Sequence, residues 1–270
     1  MKALFLFNFW SIVFIGLSQE SNKIITTDSF VINSKLLNEV RKLNVWTPPN
    51  YNSVKDSFPV IYLLDGGIKE DYPHMIETIA KLIQSKDIPP LIVVGIENTQ
   101  RRRDLTGFTE IESDKEIAPQ VGGSEQFRSF IEKELFSEIN LRFRVTNKRV
   151  ILGESLAGLF IIETFFLQAN LFDYYIAIDP SLWWNAHYLI KNSEKLLPQS
   201  FSNHKKLWFA GSNTKSISKH TKDFARILKS NKAPNLTWKY SNEPKEDHST
   251  IYKAIKDQAL KWTFCNEFND

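Results

Sequence analysis

Cysteine is almost missing from this chain. Cys265 is the only one, so no internal disulfide can form and stability must come from a hydrophobic core. A strong charge bias is missing too. Lys and Arg number 34 against 31 Asp and Glu, a net +3 that is too small to argue for nucleic acid as a partner. Arg101-Arg102-Arg103 is a short run closed at once by Asp104 rather than a basic patch. No group of His, Cys, Asp and Glu has metal-ligand spacing. No glycine-rich phosphate loop or dinucleotide fingerprint occurs. Neither a metal nor an organic cofactor is therefore expected. Internal repeats, low-complexity segments and Pro/Gly-rich linkers are also missing.

One apolar run does stand out. Ala3 to Leu17 is apolar apart from Asn8 and Ser11, Lys2 precedes it, and Gly16-Leu17-Ser18 offers small residues where a signal peptidase reads. This is the pattern of a secretory signal peptide cut near Ser18. The run is shorter than the ~20 residues that a membrane-spanning helix needs. The expected organisation is a signal peptide over residues 1–18 and a single domain over residues 19–270. The mature protein would be periplasmic or secreted, with no stable membrane anchor.

The remaining composition is that of a globular protein, with 42% hydrophobic and 24% charged residues in 270. Residues 28–32 and 41–46 read as antiparallel strands. Residues 59–65 and 90–96 are continuously apolar, as strands buried on both faces are. An amphipathic helix over residues 72–85 separates them, followed by a long loop over 97–122 and a helix from Ser124 to about Asn140. Further strands are expected at 174–179, 206–211 and 236–240, with helices at 221–230 and 249–264. Strands alternating with helices predict an α/β domain with a mostly parallel sheet and helices on both faces.

The centre of this pattern is Arg149-Val150-Ile151-Leu152-Gly153-Glu154-Ser155-Leu156-Ala157-Gly158-Leu159-Phe160. A buried strand turns sharply through a serine into an almost wholly apolar helix. That is the form of a nucleophile elbow, and it predicts the α/β-hydrolase fold. Strand and helix nearly touch there, so the residues two before and two after the serine must be small. Gly153 and Ala157 meet that need.

A serine hydroxyl attacks only when a base takes its proton. In this fold the base follows the last strand, and among five histidines His248 holds that position. The acid is harder to place. The loop after the penultimate strand, Gly211 to Ser218, has no carboxylate, and Asp223 is the first one reached. Two arrangements stay open: a Ser155–His248 dyad, or a triad completed by Asp223. Glu243, Glu246 and Asp247 flank His248 and are expected to face solvent. The oxyanion hole needs two backbone N–H groups. Leu156 follows the nucleophile, and Gly67 lies in the Asp65-Gly66-Gly67 turn after a central strand. Trp183 and Trp184, beside the expected site, are candidates to stack on a ring-bearing substrate, against the alternative that one or both pack under the loop as core. Arg103 is a candidate to hold an anionic group, against the alternative of an Arg–Asp pair that fixes the loop.

These segments together resemble the putative esterase family of α/β-hydrolases, the branch that contains enterochelin (ferri-siderophore) esterases and esterase D. The resemblance runs over roughly residues 28–264. It rests on Pro59 to Gly66, Glu97-Asn98-Thr99, Arg103 to Thr106, Gly122-Gly123-Ser124, Gly153 to Phe160, Pro180 to Trp184 and the His248 loop. It implies Ser155 as nucleophile, His248 as base, and Gly67 and Leu156 as oxyanion donors. It also marks two departures. A glutamate common shortly after the Gly211 position is replaced by Thr214 and its neighbours, and Asp179 stands where relatives often carry a small neutral residue. Asp179 then either reshapes the pocket or serves as an unexpected acid. The implied activity is hydrolysis of a small-molecule carboxylic ester, siderophore-type or a simple acyl ester. An acyltransferase with the same nucleophile and a non-catalytic binding protein are the competing readings.

Overall fold

A computed structural model describes residues 27–265. The signal peptide expected over residues 1–18 lies outside the described residues. The chain runs β1 (Asp28–Ser34), β2 (Glu39–Trp46), β3 (Phe58–Leu63), α1 (Tyr72–Gln84), β4 (Ile92–Ile96), α2 (Arg101–Leu105) and α3 (Glu112–Ile117). It continues through α4 (Ser124–Phe130), a π-helical turn (Ile131–Leu135), α5 (Phe136–Arg142), β5 (Val145–Glu154), α6 (Leu156–Leu167) and β6 (Tyr174–Ile178). It ends with α7 (Trp184–Lys191), α8 (Ser193–Leu196), β7 (Lys205–Gly211), α9 (Lys215–Ser230), β8 (Leu236–Asn242) and α10 (Ile251–Thr263).

One eight-stranded sheet has the order β1-β2-β4-β3-β5-β6-β7-β8. β1 pairs antiparallel with β2, and β2 with β4. From β4 onward every pairing is parallel. Alternate residues of each strand feed opposite faces. Val60 and Tyr62 join the side covered by α4–α6 and α9, whereas Ile61 and Leu63 join the side covered by α1 and α10. This is the α/β-hydrolase fold, as expected.

Helix α6 is buried nearly all round, from Leu156 to Phe166, which is why its sequence has no polar stripe. Phe160 is fully buried against Phe127 in this layer, and its truncation to Ala would cost about 3–5 kcal/mol. The long loop over 97–122 carries two short helices, α2 and α3. Helix α9 starts at Lys215, six residues before the expected Thr221, because Ile217 is buried and continues the apolar face of Phe224 and Leu228.

Candidate active site

The carboxyl ends of β3, β5 and β6 lie side by side in the sheet, where ligands of open α/β sheets bind. Each is followed by a non-glycine residue with a left-handed φ: Asp65 at 53°, Ser155 at 62° and Asp179 at 47°. Such conformations hold only where the surroundings fix them. At Ser155 the N–H donates to the Ile178 carbonyl at 3.0 Å, and Ser181 N–H donates to the Ser155 carbonyl at 3.1 Å. A Cβ added at Gly153 would lie 2.6 Å from the Ala157 Cβ. The demand for small residues on both sides of the serine is therefore literal.

Ser155 Oγ lies 3.0 Å from His248 Nε2. On the far side of the ring, His248 Nδ1 lies 2.6 Å from Asp179 Oδ2. Asp179 is fully buried. Ser212 secures it twice more, with its N–H on Oδ1 at 2.6 Å and its hydroxyl on Oδ2 at 2.9 Å. The hydrogen bond to Asp179 raises the His248 pKa above its usual 6.5, while partial burial works against it. The histidine loop is itself anchored. Glu243 N–H donates to Gly211 and Asn213 N–H to Glu246, and Asp247 Oδ1 accepts from Ser249 and Thr250.

The carboxylate that meets His248 is thus Asp179, named above as a reshaped pocket or an unexpected acid, and neither the dyad nor the Asp223 arrangement matches the contacts. A dyad is not what the geometry contains. Asp223 is taken up by Lys219 and Arg226, each at 2.7 Å. Burial opposes its charge, but these two cations outweigh it and hold its carboxyl below the usual range. Fold convention pointed to the loop after β7, whereas the carboxylate comes from the end of β6. A signal was present in the sequence: of the two loops 179–184 and 211–218, only the first carries a carboxylate, Asp179.

The other expected residues divide. Leu156 is the first residue of α6, so its N–H has no acceptor within the helix. Gly67 N–H is not vacant. It donates to Glu70 Oε2 at 2.7 Å, while Glu70 N–H returns to the Gly67 carbonyl at 2.9 Å. This reciprocal pair closes a tight turn over residues 67–70, the Glu70 side chain folding back onto its first N–H. Trp183 is half-buried, but Trp184 is buried and donates Nε1–H to the Gly107 carbonyl at 3.2 Å. Trp184 pins the long loop and has no face left for a substrate. Arg103 is likewise committed, to Glu39 at 2.8 Å and Asp104 at 2.6 Å, beside the buried Arg41–Asp104 pair at 2.6 Å. The loop-fixing alternative holds for Arg103, since an Asp104 so deeply buried requires cations around it.

Three further residues lie near the site. Arg101 makes a bidentate pair with Asp65, at 2.6 and 2.8 Å. Ser181 Oγ sits 3.4 Å from Ser155 Oγ. Glu154 carries a buried Oε1 without a partner. Burial pushes its pKa up to about 8, opposed by His248 and assisted by Asp71, Asp179 and Asp65.

Comparison with known proteins identifies the family of the chain. The family model described as putative esterase matches residues 34–263. The ferri-bacillibactin esterase BesA of Bacillus subtilis is 30% identical over 174 residues, an alignment that covers 58% of this chain and 60% of that protein. The apo-salmochelin esterase of Escherichia coli is 24% identical over 242 residues, covering 82% of this chain and 74% of its own. Among solved structures, an IroE-like serine hydrolase from Shewanella oneidensis superposes with a TM-score of 0.79 at 28% identity, over 88% of this chain and 80% of that one. The chain belongs to the putative esterase family, and its fold is that of the serine hydrolases it resembles.

Proposed function

We propose that this member of the putative esterase family is a secreted or periplasmic serine hydrolase of small-molecule carboxylic esters, siderophore-type esters among them. The observation that carries the reading is the unbroken line Ser155 Oγ–His248 Nε2, 3.0 Å, and His248 Nδ1–Asp179 Oδ2, 2.6 Å. The substrate class draws on the relatives, which are named as a ferri-bacillibactin esterase and an apo-salmochelin esterase. The location draws on the apolar run over residues 3–17 alone.

In this reading His248 Nε2 takes the Ser155 proton as Oγ attacks the ester carbonyl. Asp179 keeps the ring in the tautomer that exposes Nε2 and stabilises the imidazolium. The oxyanion is held by Leu156 N–H, joined by Gly67 N–H once Glu70 has left it. Collapse of the intermediate expels the alcohol, which takes its proton from His248. Water, deprotonated by the same nitrogen, then attacks the acyl-enzyme and releases the carboxylic acid. Hydrolysis of p-nitrophenyl esters by the mature protein tests this, beside Ser155→Ala and His248→Ala. Loss of at least about 10³-fold in both supports it. Turnover that survives in Ser155→Ala refutes it.

A further inference from the structure

The charged groups around the elbow do not balance, and the imbalance is specific. The cations of the neighbouring loops are already engaged. Arg101 holds both oxygens of Asp65, Arg102 donates to the Ile117 carbonyl, and Arg103 is bound to Glu39 and Asp104. Lys42 pairs with Glu97 at 3.1 Å. Lys256 donates to His74 Nδ1 at 3.0 Å, and His74 Nε2 faces Asp71 at 3.1 Å.

Glu70, like Asp179, has no permanent cation bonded to it. It receives only neutral amide donors, Gly67 N–H at 2.7 Å and Asn98 Nδ2 at 2.9 Å. Among the described residues no cation forms an ion pair with it. Lys69, beside it in the chain, is exposed to solvent. The raised pKa of Glu154 reports a similarly negative surrounding, since Asp71, Asp179 and Asp65 all add to the effect of burial.

The two facts about Glu70 combine. Its carboxylate occupies the N–H that the proposed oxyanion hole uses, and it brings there a negative charge offset only through space by Arg101, which is already bound to both oxygens of Asp65. Two anionic acceptors cannot share one donor at this distance, so Glu70 must swing off Gly67 when an ester carbonyl enters. We propose that Glu70 selects the substrate by charge: the site favours esters whose acyl chain ends in a cationic or neutral group and disfavours anionic ones. This inference rests on the esterase reading above. A cationic tail pairs with the released carboxylate and so helps to open the hole. A neutral tail leaves Glu70 to be displaced without help. An anionic tail adds a like charge beside it.

The test uses three p-nitrophenyl esters of one chain length: the 6-aminohexanoate, the hexanoate and the monoester of adipic acid. The wild-type protein is expected to show kcat/KM in that order. The cationic and anionic esters should differ by at least about tenfold, because like charges brought together are strongly disfavoured. Glu70→Gln should compress the series to within about threefold, and salt at about 0.5 M should compress it in the wild type. A role for Glu70 confined to bracing the turn would move all three esters together, and that result overturns the inference. Binding of butylboronic acid, whose tetrahedral adduct on Ser155 mimics the oxyanion, gives a second readout. Glu70→Ala should tighten it by at least about fivefold, and weaker binding contradicts the gate. If a fluorophosphonate labels Ser155 but the ester order ignores charge, this inference alone fails. If Ser155 is not labelled at all, the esterase reading fails and takes the inference with it.

Discussion

Asp65 and Asp179 are two versions of one construction. Each follows a central strand with a left-handed φ, 53° and 47°. Each is buried, at 7% and 0% exposure, and each carboxylate accepts three hydrogen bonds. Asp65 takes two from the permanent cation Arg101 and one from Asn98. Asp179 takes two from the neutral Ser212 and reserves the third for His248. The first aspartate is neutralised in the ground state, and so it ties a loop to the sheet. The second lies beside a ring whose cationic form it stabilises, a charge that the proposed reaction would supply from Ser155. What separates structure from chemistry here is the partner, not the position.

The sharpest way to break this comparison is to remove the same charge from both. Asp179→Asn should lower kcat by about 10³–10⁴-fold, because an amide no longer fixes the tautomer or stabilises the imidazolium. Melting and circular dichroism should stay near wild type. The pH profile should move as well. Asp179 raises the His248 pKa, and only the neutral ring acts as a base. Wild-type kcat/KM should therefore fall as pH drops through a midpoint above 6.5, and in Asp179→Asn that midpoint should lie lower. Asp65→Asn should invert the pattern. It should cost about 1.5–3 kcal/mol of stability, the range for hydrogen bonds to charged groups, and lower Tm by about 3–12 °C. Its kcat should change by less than about tenfold.

A smaller effect belongs to Glu154. With its pKa pushed up to about 8, Glu154 gains its charge among Asp71, Asp179 and Asp65 as pH rises above neutrality, which makes the site more negative. Wild-type kcat/KM should decline a few-fold above that pKa, and Glu154→Gln should flatten the alkaline side of the profile. The smallest effect belongs to Asp223, whose contacts are the exposed Lys219 and Arg226. Asp223→Ala should leave kcat/KM within about twofold and cost no more than about 1 kcal/mol.

The parts that local chemistry determines were legible in the sequence. Continuous apolar strands, the elbow with Gly153 and Ala157, and a histidine after the last strand give the fold and two of the three aligned side chains. The parts decided by contacts across the sheet were not. Asp179 stood out in the sequence only as a departure from the family pattern, a reshaped pocket or an unexpected acid; the adjacency of β5, β6 and β7 in the sheet brings it to His248. Arg101, Arg102 and Arg103 are indistinguishable as a run, yet their partners are Asp65, the Ile117 carbonyl and Glu39 with Asp104. Trp183 and Trp184 differ in the same way, by which ring the loop over 97–122 covers.

The measurement that tests the account most directly is the rate of fluorophosphonate labelling of Ser155, located by mass spectrometry, in the wild type and in Asp179→Asn. The account predicts one adduct, on Ser155, with ester turnover lost in step. It also predicts labelling of Asp179→Asn slower by at least about 10²-fold in a protein that remains folded. An adduct elsewhere, or labelling of Asp179→Asn at the wild-type rate, would contradict it.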